Sequence, residues 1–212
     1  MYENFARSSP ELQRTVLVAS LEEFARNGYE QASTNAIVKS AGIPKGTLFY
    51  FFGSKKHLYL YLIDYAVSRY VEHVNRHSQE LPADLFERLL ARGRLRMQFA
   101  VQEPLLYQFF FNAFLHTPDG IRSEMAARYG EFAASSRQLL TEGLDHSKFR
   151  EDVDIEKAID LTNLVLEGIF SRYAQQLSQG TPEQALAFVE QLTAQVQGYF
   201  GLLKCGLYRL PG

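Results

Sequence analysis

The feature that most restricts the fold of this chain is a tripeptide turn, Gly42-Ile43-Pro44, that lies between two short helical patterns. Ser33 and Thr34 provide the hydroxyls that favour a helix start, which predicts a helix over residues 33–41. Glycine supplies the backbone freedom that a tight turn needs, and a second short helix is predicted over residues 45–51. Two short helices joined in this way are typical of a helix-turn-helix.

In the rest of the sequence, the residues that begin and end elements are typical of helices as well. Ser9 followed by Pro10 is a typical helix start, and Gly28 is a typical helix end. Gly53 and Ser54 separate the short helices from a long one over residues 55–77. Without any alternating strand pattern, the sequence predicts an all-α fold of about nine helices. Further helices are predicted over residues 84–102, 104–116, 119–145, 154–179 and 182–203.

Charge is distributed unevenly along the chain. The formal net charge is −2, which argues against a protein that binds nucleic acid over its whole surface. Residues 31–63, however, contain four lysines and no Asp or Glu. A local basic field on a neutral body is what a small DNA-contacting face requires, so the charge pattern favours DNA contact at the helix-turn-helix.

The segment that follows the tripeptide turn carries side chains suited to DNA. Lys45 and Thr47 can donate hydrogen bonds to base edges, and Gly46 allows the backbone to approach the duplex closely. Tyr50 can donate its hydroxyl to a phosphate. The second short helix is therefore the predicted recognition helix, because the second helix of this motif enters the major groove.

Four further side chains are candidates for phosphate contact. Ser33 and Thr34 lie at a predicted helix N-terminus, where free N–H groups favour a phosphate. Lys55 and Lys56 lie in the first turn of the next helix, where the helix dipole disfavours a cation by about 0.3–1 kcal/mol each. Two solvated lysines on an exposed helix start are the alternative. Because Ser33, Thr34 and Tyr50 are predicted on the same side, the sequence favours phosphate contact.

At these residues the chain resembles the TetR family of repressors. The resemblance spans residues 16–62 and is carried by FARNGY at 24–29, STNAI at 33–37 and GIPKGTLFYFFGSK at 42–55. It implies a homodimer that binds a palindromic double-stranded DNA operator. The residues that the resemblance places on DNA are Thr34, Tyr50 and Lys55, at phosphates, and Asn35, Lys45 and Thr47, nearest the bases.

The sequence departs from the family pattern at several positions. Phe49 stands where Tyr is usual, and Phe51 stands where His or Tyr is usual, so residue 51 cannot hydrogen-bond a phosphate. Ala36 replaces a common acidic residue and Lys56 a common Glu, which makes the predicted DNA face more positive. Pro44 occupies a position that is often Ser.

The body of the chain has weaker signals. We expect a helix-turn-helix DNA-binding domain at residues 1–53 and a helical effector-binding and dimerisation domain at residues 54–212. The pattern over residues 154–179 is apolar on two sides, as in a helix buried on both. By resemblance, the last two helices pair with those of a second subunit, and Gly168 and Gly198 would allow a close approach. The alternative is that both helices close a monomeric core.

The middle helices are crowded with aromatic residues. Ligand pockets are mostly apolar with a few placed polar groups, and the resemblance implies a small effector inside this part of the bundle. Asn112 lies within an apolar run, where a buried amide needs a partner from the backbone or from a ligand. The alternative is an aromatic core without a cavity. The candidate effector-binding residues are Tyr61, Tyr65, Phe99, Tyr107, Phe110, Phe111, Asn112, Phe114, Phe170 and Tyr173.

Catalytic and metal-binding motifs are missing from the sequence. It contains no P-loop, no dinucleotide fingerprint and no G-x-S-x-G. His73 and His77 have the spacing of a metal-binding pair, but no third ligand is evident, and a solvated helix face is the favoured interpretation. Cys205 is the single cysteine and has no partner motif. We therefore expect no enzymatic activity, no cofactor and no metal.

The expected function is a DNA-binding transcriptional regulator, usually a repressor, that is released from its operator by a small, largely apolar effector. No apolar run approaches the ~18 residues of a membrane span, so we expect a cytoplasmic protein that does not bind membranes. One alternative is a helical carrier or enzyme with a vestigial helix-turn-helix, which the absence of acids from residues 31–63 disfavours. Another is a protein–protein adaptor, whose binding would depend less steeply on salt than DNA binding does.

Overall fold

The computed structural model describes residues 2–77, 81–115, 117–177 and 182–209. Within these ranges the chain is helical, with two short 3-10 helices and one isolated antiparallel bridge, between Phe149 and Tyr208. The prediction of an all-α fold is confirmed. The α-helices are α1 (Glu3–Ala6), α2 (Pro10–Gln31), α3 (Thr34–Ala41), α4 (Lys45–Phe52), α5 (Lys55–Asn75), α6 (Leu85–Gln102), α7 (Pro104–Leu115), α8 (Arg122–Thr141), α9 (Ile155–Leu177) and α10 (Pro182–Leu207).

Serine caps and one left-handed glycine set the helix ends around the turn, as the sequence predicts. The side chains of Ser9, Ser33 and Ser54 accept hydrogen bonds from the amides three residues on, at 3.3, 3.4 and 3.1 Å, and so begin α2, α3 and α5. Gly42 ends α3 with a φ of 64°, a conformation that L side chains rarely adopt. Pro44 is the N-cap of α4.

Two helix predictions need correction. Helix α1 was not predicted, because four residues are too few to form a stable helix without the tertiary packing of Phe5. The helix predicted over residues 119–145 is shorter, since Asp119–Ile121 forms a 3-10 helix and α8 ends at Thr141. Gly143, with a φ of 71°, follows that end and turns the chain away.

The chain divides into two compact units, each with its own apolar core. The first unit comprises residues 1–80 and 92–139, and the second comprises residues 81–91 and 140–212. The domain boundary expected after residue 53 stays a prediction. The helix-turn-helix and the helices that carry most of the candidate effector-binding residues lie in the first unit.

The core of the first unit is shared by the helix-turn-helix and the helices that follow it. Phe24 of α2, Ile37 of α3, Leu62 of α5 and Phe109 of α7 are all buried there. The ring of Tyr59 lies 5.0 Å from that of Phe24 and 5.4 Å from that of Phe109, and burial raises the pKa of Tyr59 to about 12. These contacts join α2 to α5 and α7, and Ile37 places α3 in the same core.

In the second unit, a buried carboxylate holds the start of α6. Asp84 accepts hydrogen bonds from the amides of Phe86 at 3.0 Å and Glu87 at 3.1 Å, and from the Lys148 ammonium at 3.0 Å. Burial acts to raise the pKa of Asp84, but the hydrogen bonds from Lys148 and Glu87 and the charge of Lys204 hold it below its usual value. The carboxylate is thus a charged N-cap with a cationic partner.

A buried arginine of the second unit, Arg88, donates hydrogen bonds to carbonyl oxygens at the C-terminal end of α8. The Arg88 guanidinium donates to the carbonyl oxygens of Leu140 at 3.3 Å and Gly143 at 3.4 Å, and to that of Glu142. Carbonyls at a helix C-terminus lack intrahelical partners and carry partial negative charge. Arg88 therefore caps the C-terminal end of α8.

Candidate nucleic-acid interface

Helix α4, the predicted recognition helix, divides its side chains between the core and the surface. Leu48, Phe51 and Phe52 are buried, whereas Lys45 is exposed and Tyr50 is 67% exposed. The buried side chains fix the orientation of the helix. The exposed ones project from a rigid support, which is the arrangement that a groove-reading helix requires.

Other residues predicted to contact bases lie on the same two short helices. Asn35 at the start of α3 is exposed, and Thr47 in α4 is half-buried. Gly46 is exposed, and a Cβ added there would meet no atom within 4 Å, so a partner can approach this backbone closely. The ammonium of Lys45 lies 5.8 Å from the centroid of the Phe49 ring. Base contact by these residues stays a prediction.

Ser33 has a structural role at the start of α3. Its hydroxyl oxygen accepts from the amide of Ala36 at 3.4 Å, and its own amide donates to the carboxylate of Glu23 at 2.8 Å. Thr34, the first residue of the helix, is half-buried. These bonds orient the N-terminus of α3 relative to α2. The predicted phosphate contacts of Ser33 and Thr34 would be made from this fixed position.

The recognition helix is also held by α1. Phe5 is 1% exposed and lies 5.3 Å from the ring of Phe51 and 4.8 Å from that of Phe52. Tyr2 donates its hydroxyl to the carbonyl of His57 at 3.2 Å. Phe51 is 7% exposed, so a core contact explains why an apolar side chain stands where a polar one is usual.

Sequence reasoning did not identify Tyr2 and Phe5 as contributors to this site. The available signal was a pair of aromatic residues spaced by three in an otherwise polar N-terminal segment. That spacing places both rings on one side of a helical turn.

Lys55 is bound to the end of α2. Its ammonium donates to the carbonyl oxygens of Glu30 at 3.0 Å and Ala32 at 3.1 Å, and lies 4.9 Å from the centroid of the Tyr29 ring. A cation at a helix C-terminus is favourable. The carbonyls of α2 therefore offset the unfavourable position of Lys55 in the first turn of α5, without DNA.

Lys56 faces a different element. Its ammonium forms an ion pair with the Glu124 carboxylate at the start of α8, and this hydrogen bond lowers the pKa of Glu124 to about 2. Asp64, two turns further along α5, accepts from Arg128 at 2.5 and 2.9 Å in a bidentate pair. Two ion pairs thus join α5 to α8, and the phosphate contact predicted for Lys56 competes with Glu124.

Comparison with known proteins agrees with this geometry. Residues 16–62 match the sequence profile described as "Bacterial regulatory proteins, tetR family", and this range contains the turn, the recognition helix and the first part of α5. These residues match the tetR family. Together with the relatives described next, this match identifies the chain as a DNA-binding transcriptional regulator.

Relatives resemble the chain well beyond the matched segment. The HTH-type transcriptional repressor AcnR of Corynebacterium glutamicum is 26% identical over 183 residues, which is 84% of this chain and 90% of that protein. A fatty acid metabolism regulator protein of Bacillus subtilis is 24% identical over 150 residues, 68% of this chain and 73% of the relative. The crystal structure of a TetR family transcriptional regulator from Chloroflexus aurantiacus superposes with a TM-score of 0.65 at 25% identity, covering 98% of each chain.

These relatives are transcriptional regulators, which does not favour the carrier and adaptor alternatives. In the part of the chain that the structure describes, no helix is long and apolar enough to cross a membrane.

The candidate effector-binding residues do not form one group. Tyr61 belongs with α1 and α4, since its ring lies 5.5 Å from Phe5 and 5.3 Å from Phe52. Asn112 donates its side-chain amide to the carbonyl of Ala25 at 3.4 Å, so its partner is backbone. Tyr65 is half-buried beside the same core. The side chains of Phe111, Phe114, Phe170 and Tyr173 lie outside the described residues.

The other candidates surround Tyr70 of α5. Phe99 lies 5.4 Å from the Tyr70 ring, and Phe110 stacks on it at 6.1 Å. Tyr107 accepts a hydrogen bond through its hydroxyl from Arg96 at 3.0 Å. Sequence reasoning did not select Tyr70, because its aromatic ring differs in no way, by sequence alone, from the many others in the chain.

The two histidines with metal-ligand spacing are bonded to backbone. His73 is buried with Nε2 2.9 Å from the carbonyl of Leu95, and His77 has Nδ1 3.0 Å from the carbonyl of His73. Burial lowers the pKa of His73. Among the described residues, no group of three or more His, Cys, Asp or Glu side chains is arranged to hold a metal ion.

Proposed function

We propose that this regulator is a repressor that binds a palindromic operator as a homodimer and is released by a small, largely apolar effector. The observation that carries the proposal is the recognition helix, which presents Lys45, Gly46 and Tyr50 to solvent while Leu48 and Phe52 anchor it in the core. Because bacterial DNA lies in the cytoplasm, we propose that the regulator acts there.

On DNA, we assign the exposed residues to two roles. Asn35, Lys45 and Thr47 read base edges, with Gly46 allowing the close approach. The hydroxyl of Tyr50 donates to a phosphate, and Ser33, Thr34, Lys55 and Lys56 line the flanking backbone.

Exposed apolar side chains on α9 and α10 support the dimer. Leu161 and Leu164 on α9, and Tyr199 and Leu202 on α10, are exposed, Leu164 by 64% and Leu202 by 74%. Gly198 lies on the same exposed side of α10, where an added Cβ would meet no atom within 4 Å. A second copy that covers these helices would remove large apolar groups from water.

Release by the effector would act through α5. This helix begins directly after the recognition helix, and its first turn is bound to α2 by Lys55 and to α8 by Lys56. An effector among the middle helices that shifts α5 would shift α4 with it. Effector and operator must then weaken each other's binding by the same factor.

Selection of bound sequences from a random duplex pool, by the purified full chain at near-physiological salt, tests this proposal. An enriched inverted repeat is the expected result, because a two-fold dimer reads two half-sites about one helical turn apart. Lys45→Ala should change the selected sequence, whereas Lys39→Ala, an exposed lysine of α3 outside the predicted contacts, should leave it unchanged. No enriched sequence and no salt-dependent binding of DNA would favour the adaptor or the carrier instead.

A further inference from the structure

Two arginines one turn apart on α6 direct their guanidinium groups to neutral hydroxyls in the first unit. Arg92 donates to the hydroxyl of Ser136 on α8, and Arg96 donates through Nε to the hydroxyl of Tyr107 on α7 at 3.0 Å. Both arginines are half-buried. A carboxylate adds an opposite charge and can accept two parallel hydrogen bonds from one guanidinium, so it is a better acceptor for these donors than a neutral hydroxyl.

Aromatic rings lie near the two arginines, since Arg96 is 5.7 Å from the centroid of the Tyr107 ring and both arginines act on the Tyr70 hydroxyl. Tyr70 of α5 stacks on Phe110 with 6.1 Å between centroids and meets Phe99 edge-on at 5.4 Å. Phe132 of α8 lies 5.9 Å from Tyr70 and 5.5 Å from Phe110. Helices α5, α6, α7 and α8 therefore all contribute to one cluster, in which cationic donors adjoin apolar rings.

Arg92 and Arg96 both act electrostatically on the hydroxyl of Tyr70. Burial raises the pKa of the Tyr70 hydroxyl, and the charges of Arg92 and Arg96 act to lower it. Those charges favour a negative group at this position, and the surrounding rings reduce the screening by water. The charge of these two arginines is thus opposite to that of a carboxylate ligand.

We propose that Arg92 and Arg96, with the hydroxyls of Tyr70, Tyr107 and Ser136, bind the carboxylate of an effector whose apolar body packs on Phe99, Phe110 and Phe132. This inference rests on the proposed function and narrows the effector from a largely apolar molecule to an apolar carboxylic acid in its ionised form. The guanidinium groups exchange their hydroxyl acceptors for the carboxylate oxygens, for which a planar fork of donors is well matched.

The first test uses the full chain without DNA, so that it does not depend on operator binding. The unfolding temperature is followed against concentration of decanoate and 4-phenylbutyrate, each paired with its neutral alcohol, decan-1-ol and 4-phenylbutan-1-ol, below micelle formation. We expect at least one carboxylate to stabilise the protein, and its alcohol to bind about 10- to 100-fold more weakly, as for loss of a charge-assisted hydrogen bond. Equal stabilisation by acid and alcohol, or none by either acid, overturns the proposal.

Variants then locate the site. Arg92→Gln and Arg96→Gln should each weaken carboxylate binding about 10- to 100-fold, whereas Arg94→Gln, an exposed arginine on the same helix, should leave it unchanged. Tyr107→Phe and Ser136→Ala remove only a hydroxyl, and serve if an arginine variant does not fold. Carboxylate affinity that is unchanged in all of these variants contradicts the assignment.

A second measurement connects the site to regulation. With a labelled operator obtained by selection, the carboxylate should release the wild-type protein, while Arg96→Gln should bind DNA normally and resist release. If the protein binds no DNA but still prefers carboxylates in the unfolding assay, the proposed function fails and the ligand site stands. If it binds DNA and no carboxylate binds, the ligand site fails alone.

Discussion

The ammonium of Lys55 lies 3.1 Å from the carbonyl oxygen of Ala32, the C-cap residue of α2, so a side chain from the first turn of α5 caps the C-terminal end of α2. Loss of this cap should lower the free energy of unfolding by about 1 kcal/mol in Lys55→Ala. Chemical denaturation measures the change, with exposed Lys39→Ala as the control. An unchanged midpoint would mean that the ammonium does not stabilise α2.

The same variant also tests the phosphate contact predicted for Lys55. If Lys55 reaches a phosphate as well, DNA affinity should fall about equally for all sequences, and the salt slope should decrease by about one. Affinity measured at several salt concentrations, well below the unfolding midpoint of the variant, separates this effect from the loss of the cap. A slope equal to that of the wild type would assign Lys55 to helix capping alone.

Phe5 should be required for the stability of the helix-turn-helix. Phe5→Ala removes a ring buried against Phe51 and Phe52, and a buried Phe→Ala change costs about 3–5 kcal/mol. The free energy of unfolding from urea denaturation measures this loss. Val18→Ala, an exposed apolar position on α2, should change it by less than about 0.5 kcal/mol. Similar values for both variants would contradict the packing of α1 described above.

The ion pair between Lys56 and Glu124 should make the stability of the protein depend on pH in the acid range. The hydrogen bond from Lys56 lowers the pKa of Glu124 from 4.5 to about 2, so the stabilisation is present above pH 4.5 and is lost as the pH falls to about 2. Glu124→Gln should therefore flatten the pH dependence of the unfolding midpoint over that interval. Glu22→Gln, at an exposed position of α2, should retain the wild-type dependence.

The exposed faces of α9 and α10 should govern assembly. Leu164→Asp and Leu202→Asp place a charge where a second copy would bury a leucine, so each should shift the dimer toward monomer. Sedimentation over a range of concentrations measures the dissociation constant. Val101→Asp, at an exposed apolar position of α6, is the matched control. A dissociation constant that Leu202→Asp leaves unaltered would exclude α10 from the interface.

Local chemistry explains which parts of the fold could be predicted from the sequence. The caps at Ser9, Ser33 and Ser54 and the turn at Gly42 act within a few residues, and each lies where the sequence predicted it. Helix α1 depends on aromatic rings distant in sequence, so its four residues carry no sufficient signal of their own.

The partners of the candidate site residues were harder to predict for the same reason. Lys55 and Lys56 are adjacent lysines with identical local context, yet one binds the carbonyl end of α2 and the other a carboxylate on α8. Likewise, the aromatic content of the chain indicates a ring-rich interior but does not separate Tyr61, which packs with α1, from Phe99, which packs with Tyr70.

Lys55 and Lys56 are neighbours at the start of α5. The length of the junction formed by Gly53 and Ser54 therefore sets the directions of both side chains. Neighbouring residues on an α-helix point about 100° apart, which is why the two side chains reach different elements. A one-residue insertion in the junction would rotate both lysines away from their partners at once. Substitutions on the exposed side of α4 would therefore leave both attachments intact, whereas a change in the spacing between α4 and α5 would have to rebuild the two together.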